Sequence, residues 1–441
     1  MATIPQVARL VQTILGPVAE RAARATGLVQ RASKLTGARF VQTLVFGWLA
    51  QPTARLSQLV QTAATLGVAI TAQGLDDRFG VASAECLREV LEEAVQVVLA
   101  ADAVAVPVLR RFTAVAVQDC TTISLPAALA AVWPGCGGST PTSGAAALKL
   151  RVRLDLASGR LQGPYREAGR TNDRATTVAD LPLPPGGLRL ADLGFFSVAD
   201  LAAQGAHGVY WLSRWQVGTA VATAEGEPQE MLALLAADET ATVDRPVLLG
   251  AQQRLPVRLL ATRVPQEVAD ERRRRLRAAA RAKGHAVSAA RLRRCGWTVL
   301  LTTVPAARLT LREALVLARA RWQIELLFKL WKSHLRVDEW RSTNPWRIRT
   351  AVYAKLLAAL VQHWLVLVGC WHHPDRSLVT AAQAIRAHAP HLAATFAAYP
   401  QLCQALQAVA RSLATAGRLT KRQIAPSTIQ LLLALDAAPF A

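Results

Sequence analysis

Three carboxylates in this chain stand where phosphoryl chemistry could use them. Asp119 sits in "RFTAVAVQDCTTISLP", whose β-branched and small apolar residues predict a central strand that delivers a carboxylate at its end. Asp192 closes a second predicted strand, "LRLADLGFFS", in the same way. Glu325 lies in "ARARWQIELLFKLWKSH", residues 318 to 334, which reads as one helix. Hard cations such as Mg²⁺ take oxygen ligands. Two such ions, roughly 3.5 to 4 Å apart, clamp both the attacking and the leaving oxygen of an in-line displacement. Asp119, Asp192 and Glu325 are therefore candidate metal ligands and catalytic groups. Asp155 is a weaker candidate, because it shares the polar face of a strand with Arg151 and Arg153, where an ion pair accounts for it. Asp173, Asp180 and Asp200 fall where helix caps and loops are expected, and capping is their default role.

The predicted helix around Glu325 has an unusual charge pattern. At about 100° per residue, Arg321, Glu325, Lys329 and Lys332 fall within roughly 80° of one another. Trp322, Ile324, Leu326, Leu327, Leu330 and Trp331 occupy most of the remaining circumference. A solvated surface helix has the opposite proportions. The narrow stripe either faces something polar inside the protein or a charged ligand, or it is a ladder of i, i+4 ion pairs worth a few tenths of a kcal/mol each.

The elements that must position these groups follow from the texture of the chain. Residues 1 to 105 read as helical, with Gly37, Gly67 and Gly74 as breaks, and form a candidate DNA-binding region. Within it, "SQLVQTAATLGVAITAQGLDDRFG" reads as a helix, a turn at Gly67 and a second helix from about Thr71 to Arg78, either a helix-turn-helix or a plain helix pair. Residues 106 to 345 read as β-β-β-α-β-α-β, an α/β core with mixed strands. Its second strand alternates cleanly, with Leu148, Leu150, Val152, Leu154 and Leu156 on one face and Lys149, Arg151, Arg153 and Asp155 on the other, before a hairpin turn at Ser158-Gly159. Residues 216 to about 300 break the pattern with mixed strands and an arginine run, as an insertion would, and residues 346 to 441 read as a helical tail.

Composition narrows the class of partner. The chain has 441 residues, 52% of them hydrophobic, enough for a substantial core. Its formal net charge of +21 calls for a polyanion, with nucleic acid the first candidate and an anionic membrane surface the second. Ten basic residues lie between Arg272 and Arg294 with no acid among them, and residues 1 to 60 hold seven basic residues against one acid. The six cysteines lack zinc spacing and form no evident disulfide framework, which fits a reducing cytoplasm. The N-terminus lacks the order of a signal peptide. "TAVYAKLLAALVQHWLVLVGCW", residues 350 to 371, has the length of a membrane span, but Lys355, Gln362 and His363 lie well inside it. A central lysine costs roughly 2.5 to 3.5 kcal/mol in a bilayer, so the stretch is expected to be a buried helix of a soluble protein.

Taken together, "VQDCTTISLP", "ADLGFFSVADL" and "RWQIELLFKLWKSHL" resemble the DDE transposases of bacterial insertion sequences. The resemblance runs over roughly residues 30 to 360 and is closest to the insertion-sequence-four family, whose third carboxylate lies in a Tyr-x2-Arg-x3-Glu-x6-Lys signature. Arg321, Glu325 and Lys332 occupy the last three places at the right spacing, and Ala318 stands where the family has tyrosine. The resemblance implies a ribonuclease-H-like core interrupted by a basic insertion. It implies two Mg²⁺ ions, with Mn²⁺ able to substitute, held by Asp119, Asp192 and Glu325. It implies further that Arg321 and Lys332 reach DNA phosphates near the transposon end, and that a homodimer brings two terminal inverted repeats together for cut-and-paste excision and joining to target DNA, at the nucleoid. The family's tyrosine helps to hold a terminal phosphate, so that contact is missing here. Trp297, at the end of the insertion, is either a base-stacking residue, as in relatives that form a DNA hairpin, or a packed strand residue. Arg272, Arg273, Arg274 and Arg275 are expected on the phosphate backbone. Two rival expectations stand beside this one: a decayed or domesticated DNA-binding copy, favoured by Ala318, and a nuclease of the same fold that cuts without joining.

Overall fold

The structure, a computed structural model, describes residues 2–137, 144–173, 182–236, 240–419 and 425–437. Strands form where β-branched and alternating segments predict them. They are β1 (Val115–Leu125), β2 (Ala146–Asp155), β3 (Leu161–Ala168), β4 (Leu188–Ala191), β5 (Tyr210–Arg214), β6 (Val221–Ala222), β7 (Pro228–Gln229), β8 (Thr242–Leu249), β9 (Leu255–Arg263) and β10 (Trp297–Thr302). They make a mixed sheet in the order β3-β2-β1-β4-β5-β10-β9-β8-β6-β7. The pairs β1/β4 and β4/β5 are parallel, while β2/β3 and the pairs from β5/β10 onward are antiparallel. With helices beside it, this is an α/β fold consistent with a ribonuclease-H-like core. β4 is short, and Leu188 and Leu190 on one face and Arg189 on the other are all buried, as expected of a parallel strand covered on both faces.

Two compact units share the chain. The first comprises Met1–Val106, Asp119–Val178 and Trp322–Ile429. Its axis is the long apolar helix Pro345–Gly369, whose most apolar window is 94% buried inside the protein. The three polar residues that argue against a membrane span serve as buried links or sit in the core. Lys355 donates to the Arg336 and Glu339 carbonyls, and His363 Nε2 meets the Gly159 carbonyl at 2.7 Å. Just past the helix, Trp371 Nε1 donates to the Ala157 carbonyl at 3.2 Å, so the β2–β3 turn is gripped at two points. That turn requires glycine: Gly159 has φ +69°, and a Cβ there would come within 2.5 Å of Leu367 and Trp371 side-chain atoms.

The polar face of β2 is buried rather than solvated, with Lys149 and Arg151 only 8% and 1% exposed. Burial at that level demands partners. Arg151 pairs with Glu167 at 3.1 Å across the hairpin, and Lys149 with Asp173 at 2.8 Å. Asp155 caps the turn, accepting from the Ser158 hydroxyl at 2.5 Å and the Ser158 backbone N–H at 3.1 Å. In the N-terminal helical part, Leu56–Thr65 and Ala72–Asp76 flank Gly67, at φ +81°, as expected, but the second helix has only five residues, little more than one turn.

The second unit comprises Pro107–Gln118, Ala179–Arg321 and Gln430–Ala441. Its core packs Trp211, Leu235, Leu249, Leu259 and Leu301. The insertion extends the sheet: β10 pairs with β5 on one side and β9 on the other. The segment 318–334 is two helices, Leu311–Ala320 and Trp322–Ser333, that meet at Arg321.

Candidate active site

In the second unit, strand register alone brings a carboxylate and a guanidinium together. Leu190 of β4 pairs with Leu212 of β5, and two residues beyond that parallel pair lie Asp192 and Arg214. Residues two apart share a face, and Arg214 Nη2 donates to Asp192 Oδ1 at 2.5 Å. Arg321, at the junction of the two helices, stands 4.0 Å from Asp192 Oδ2. Burial acts to raise the pKa of Asp192, but hydrogen bonds from Arg214 and the Leu193 N–H, with the charge of Arg321, outweigh it and hold the carboxyl below its usual range. Asp192 is thus an ionised carboxylate just past the end of its strand, where the sequence predicts it.

Beside it, Leu193 and Arg214 form part of the wall of a cavity of about 370 Å³ that is otherwise lined by Trp215, Arg272, Arg294 and Trp297, among others. The Arg294 guanidinium lies 5.8 Å from the Trp215 ring centroid, and that of Arg263 lies 5.0 Å from the Trp297 centroid. Burial lowers the Arg294 pKa, and the like charges of Arg291, Arg214 and Arg272 add to that. The cavity therefore combines indole surface with a surplus of positive charge. Trp297 is a β10 residue that also lines this space, so it has a strand role and a cavity role at once.

The four arginines of the run divide by direction. All lie on the helix Gln266–Ala282, which buries only Ala269. Arg272 donates to the Trp297 carbonyl at 3.0 Å and the Thr298 hydroxyl at 3.1 Å, and Arg273 to the Leu292 carbonyl at 3.2 Å. Arg274 and Arg275 are 78% and 79% exposed and pair with Glu271 on their own helix. The first two tie the helix to the strand that carries Trp297; the second two face water.

In the first unit, Asp119 is the fifth residue of eleven-residue β1, not its last. Its Oδ1 accepts the Cys120 N–H at 2.8 Å. Cys120, on the opposite face, donates its thiol to Asp173 at 3.2 Å, and Asp173 also takes Lys149. Asp173 is thus the centre of a partly buried ion network rather than a helix cap. Burial and Asp173 push the Cys120 thiol up to about 12, so it stays a protonated donor. Asp180 lies outside the described residues, and Asp200 sits in the first turn of a helix capped by Ser197.

Glu325 occupies the first turn of Trp322–Ser333, a helix that buries Ile324, Leu327, Phe328, Leu330 and Trp331. Lys332, seven residues on, donates Nζ to the Thr122 carbonyl of β1 at 2.8 Å. Seven helical residues rise about 10.5 Å and three strand residues about 10 Å, so the Lys332–Thr122 link is set back from Glu325 and from Asp119 by nearly equal lengths. Lys332 therefore ties the helix to the strand that carries Asp119, a role its sequence position did not reveal. Trp322, counted in the apolar arc by periodicity, is 54% exposed and opens the second helix at the break after Arg321. Among the described residues, no group of three His, Cys, Asp or Glu side chains is gathered as a metal site.

Comparison with known proteins adds a family. The family described as "Transposase DDE domain" matches residues 118–361. The transposase for insertion sequence element IS231B of Bacillus thuringiensis subsp. berliner is 26% identical over 366 residues, 78% of this chain and 75% of the relative. That for IS231C from the same organism is 28% identical over 367 residues, with the same shares. The transposase for IS1151 of Clostridium perfringens is 24% identical over 370 residues, 78% of this chain and 76% of the relative.

Proposed function

Starting from a chain that belongs to the transposase DDE-domain family and is an insertion-sequence transposase, we propose that it excises and inserts its element by cut-and-paste at terminal inverted repeats. The observation that carries this reading is the ionised Asp192 beside a cavity built of indoles and arginines. A carboxylate there suits a divalent cation, and the cavity suits a nucleotide of the strand being cut.

In this proposal Asp119, Asp192 and Glu325 would hold two Mg²⁺ ions, with Mn²⁺ as a substitute. The donor set is all carboxylate oxygen, which fits a hard cation. When bound, such ions activate the attacking oxygen and stabilise the leaving one. The protein's own part is positional. Arg214 and Arg321 keep Asp192 ionised and oriented. Lys332 and the Cys120–Asp173–Lys149 network fix the helix and strand that bear Glu325 and Asp119. Lys332 keeps two ammonium donors beyond its Thr122 bond for a DNA phosphate. Trp297 offers its ring to an unstacked base while the cavity arginines meet the adjoining phosphates, an arrangement worth about 1 to 3 kcal/mol per stacked base. Holding two ends at once calls for a homodimer on DNA, acting at the bacterial nucleoid in the cytoplasm.

The test is cleavage and strand transfer of a labelled inverted-repeat duplex in Mg²⁺, with binding followed by gel shift. Asp192→Asn is expected to abolish cleavage while binding persists, and Trp297→Ala to slow it by about tenfold or more. Cleavage without strand-transfer products would mean a nuclease. Binding without cleavage in any divalent metal would mean a decayed copy, as Ala318 in place of tyrosine would favour.

A further inference from the structure

A lysine inside an apolar helix is costly to bury unless its charge is compensated or used. Lys355 is 3% exposed, and two of its three ammonium donors go to the carbonyls of Arg336, at 2.8 Å, and Glu339, at 2.7 Å. The third has no acceptor among the described residues. Arg336 holds a left-handed φ of +49°, a strained conformation for a non-glycine residue, and its carbonyl is one of the two that grip Lys355.

Lys355 lines a cavity of about 490 Å³ that lies wholly within the first unit. The volume is in the range of small-molecule sites. Trp48, Phe79 and Trp340 supply aromatic wall, and the Lys355 ammonium lies 5.9 Å from the Trp48 ring centroid. Five cationic side chains line the space against one carboxylate, Glu339. Arg336 pairs with Glu339 at 2.8 Å and Arg347 with Asp76 at 2.5 Å, so Arg55 and Arg341 are left without an ionic partner among the described residues. The ten-residue helix Leu56–Thr65 begins on the same wall, and the N–H groups of Leu56 and Ser57 find no acceptor among the described residues. Unfilled donors, guanidinium groups without an ionic partner among the described residues and a helix start converge with indole surface around one open cavity. None of Asp119, Asp192, Glu325 or Trp297 takes part in it.

We propose that this cavity binds a nucleoside monophosphate, with its phosphate on Lys355, Arg341, Arg55 and the Leu56 and Ser57 N–H groups, and its base against Trp48 and Trp340. A bare anion would leave the aromatic wall unused, and a neutral aromatic would leave the cations unused. Charge at the site is pH-dependent. Burial brings the Lys355 pKa down to about 8, the carboxylates of Glu339 and Asp338 oppose that fall, and Arg336 and Arg341 add to it. Affinity for phosphate therefore weakens as pH rises past about 8 in the native protein.

The experiment is equilibrium dialysis of the full chain with radiolabelled deoxyadenosine monophosphate at pH 7. Saturable binding to one site is expected, with deoxyadenosine and inorganic phosphate each weaker by about tenfold or more. Arg341→Ala, an exposed change that leaves the core intact, is expected to lower affinity by about tenfold. Lys355→Arg should retain binding and remove its loss above pH 8. Trp297→Ala should leave binding unchanged, which separates this cavity from the one beside Asp192. Competition by a 5′-phosphorylated oligonucleotide would identify a DNA strand end as the source, and its absence a free nucleotide. No saturable binding, inorganic phosphate as tight as the nucleotide, or loss with Trp297→Ala but not with Arg341→Ala would each overturn the proposal.

Discussion

Two helices of this protein carry dense cationic sequence, and they use it differently. Trp322–Ser333 packs five large apolar side chains inward and has a polar stripe whose Lys332 is tied to β1 at 2.8 Å. Gln266–Ala282 buries a single alanine and is held to the body of its unit by two of its own arginines. In the first helix, apolar packing sets the position and one cation, Lys332, adds a tie to β1. In the second, one buried alanine offers little packing, so Arg272 and Arg273 tie the helix to its unit while Arg274 and Arg275 face water. Charge density in sequence does not separate these uses; burial and hydrogen-bond partners do.

The largest expected effect tests the first helix. Glu325→Gln keeps shape but removes the charge a divalent cation requires, and is expected to lower end cleavage by orders of magnitude in a Mg²⁺ assay while gel-shift binding survives. A single arginine change on the other helix should do nothing comparable, and equal losses from both would erase the distinction between them.

A smaller effect divides the arginine helix itself. Neutralising exposed Arg274, Arg275, Arg277 and Arg281 together is expected to flatten the slope of log K against log salt by up to about 0.9 per lost contact, with little change in melting temperature. Arg272→Gln should reverse the pattern, costing about 1 to 3 kcal/mol in urea unfolding because it strips partners from the Trp297 carbonyl and the Thr298 hydroxyl. An unchanged salt slope in the four-site variant would make that face a solvated one.

The smallest effect asks whether buried groups, rather than surface arginines, set the response of stability to pH. Burial lowers the His363 pKa to about 4, against its ordinary 6.5, despite the Gly159 carbonyl at its ring. The folded state favours neutral imidazole, so its contribution is complete above pH 6.5 and declines as pH falls toward 4. Unfolding free energy is expected to drop by about 2 kcal/mol from this group between pH 7 and pH 5. His363→Gln should remove most of that dependence, and the four-arginine variant should retain it.

Local periodicity and β-branched content were enough to read the α/β class and the strands at Val115–Leu125 and Leu188–Ala191 from the amino-acid order. The place of Asp192 just past its strand was legible for the same reason, and the buried state of Pro345–Gly369 followed from three polar residues within an apolar run. The pairing of Asp192 with Arg214 was not, since it arises from the register between β4 and β5, which are separated by a helix. Nor was the break at Arg321, which helical periodicity passes over without interruption. The roles of Asp173, Arg272 and Lys332 came only from tertiary structure: each acts through a partner at least 22 residues away, among them Lys149, the Trp297 carbonyl and the Thr122 carbonyl. A side chain's type sets which bonds it can make, but which partner it meets is decided by burial, where an unpaired charge is too costly to leave and the fold supplies the nearest acceptor.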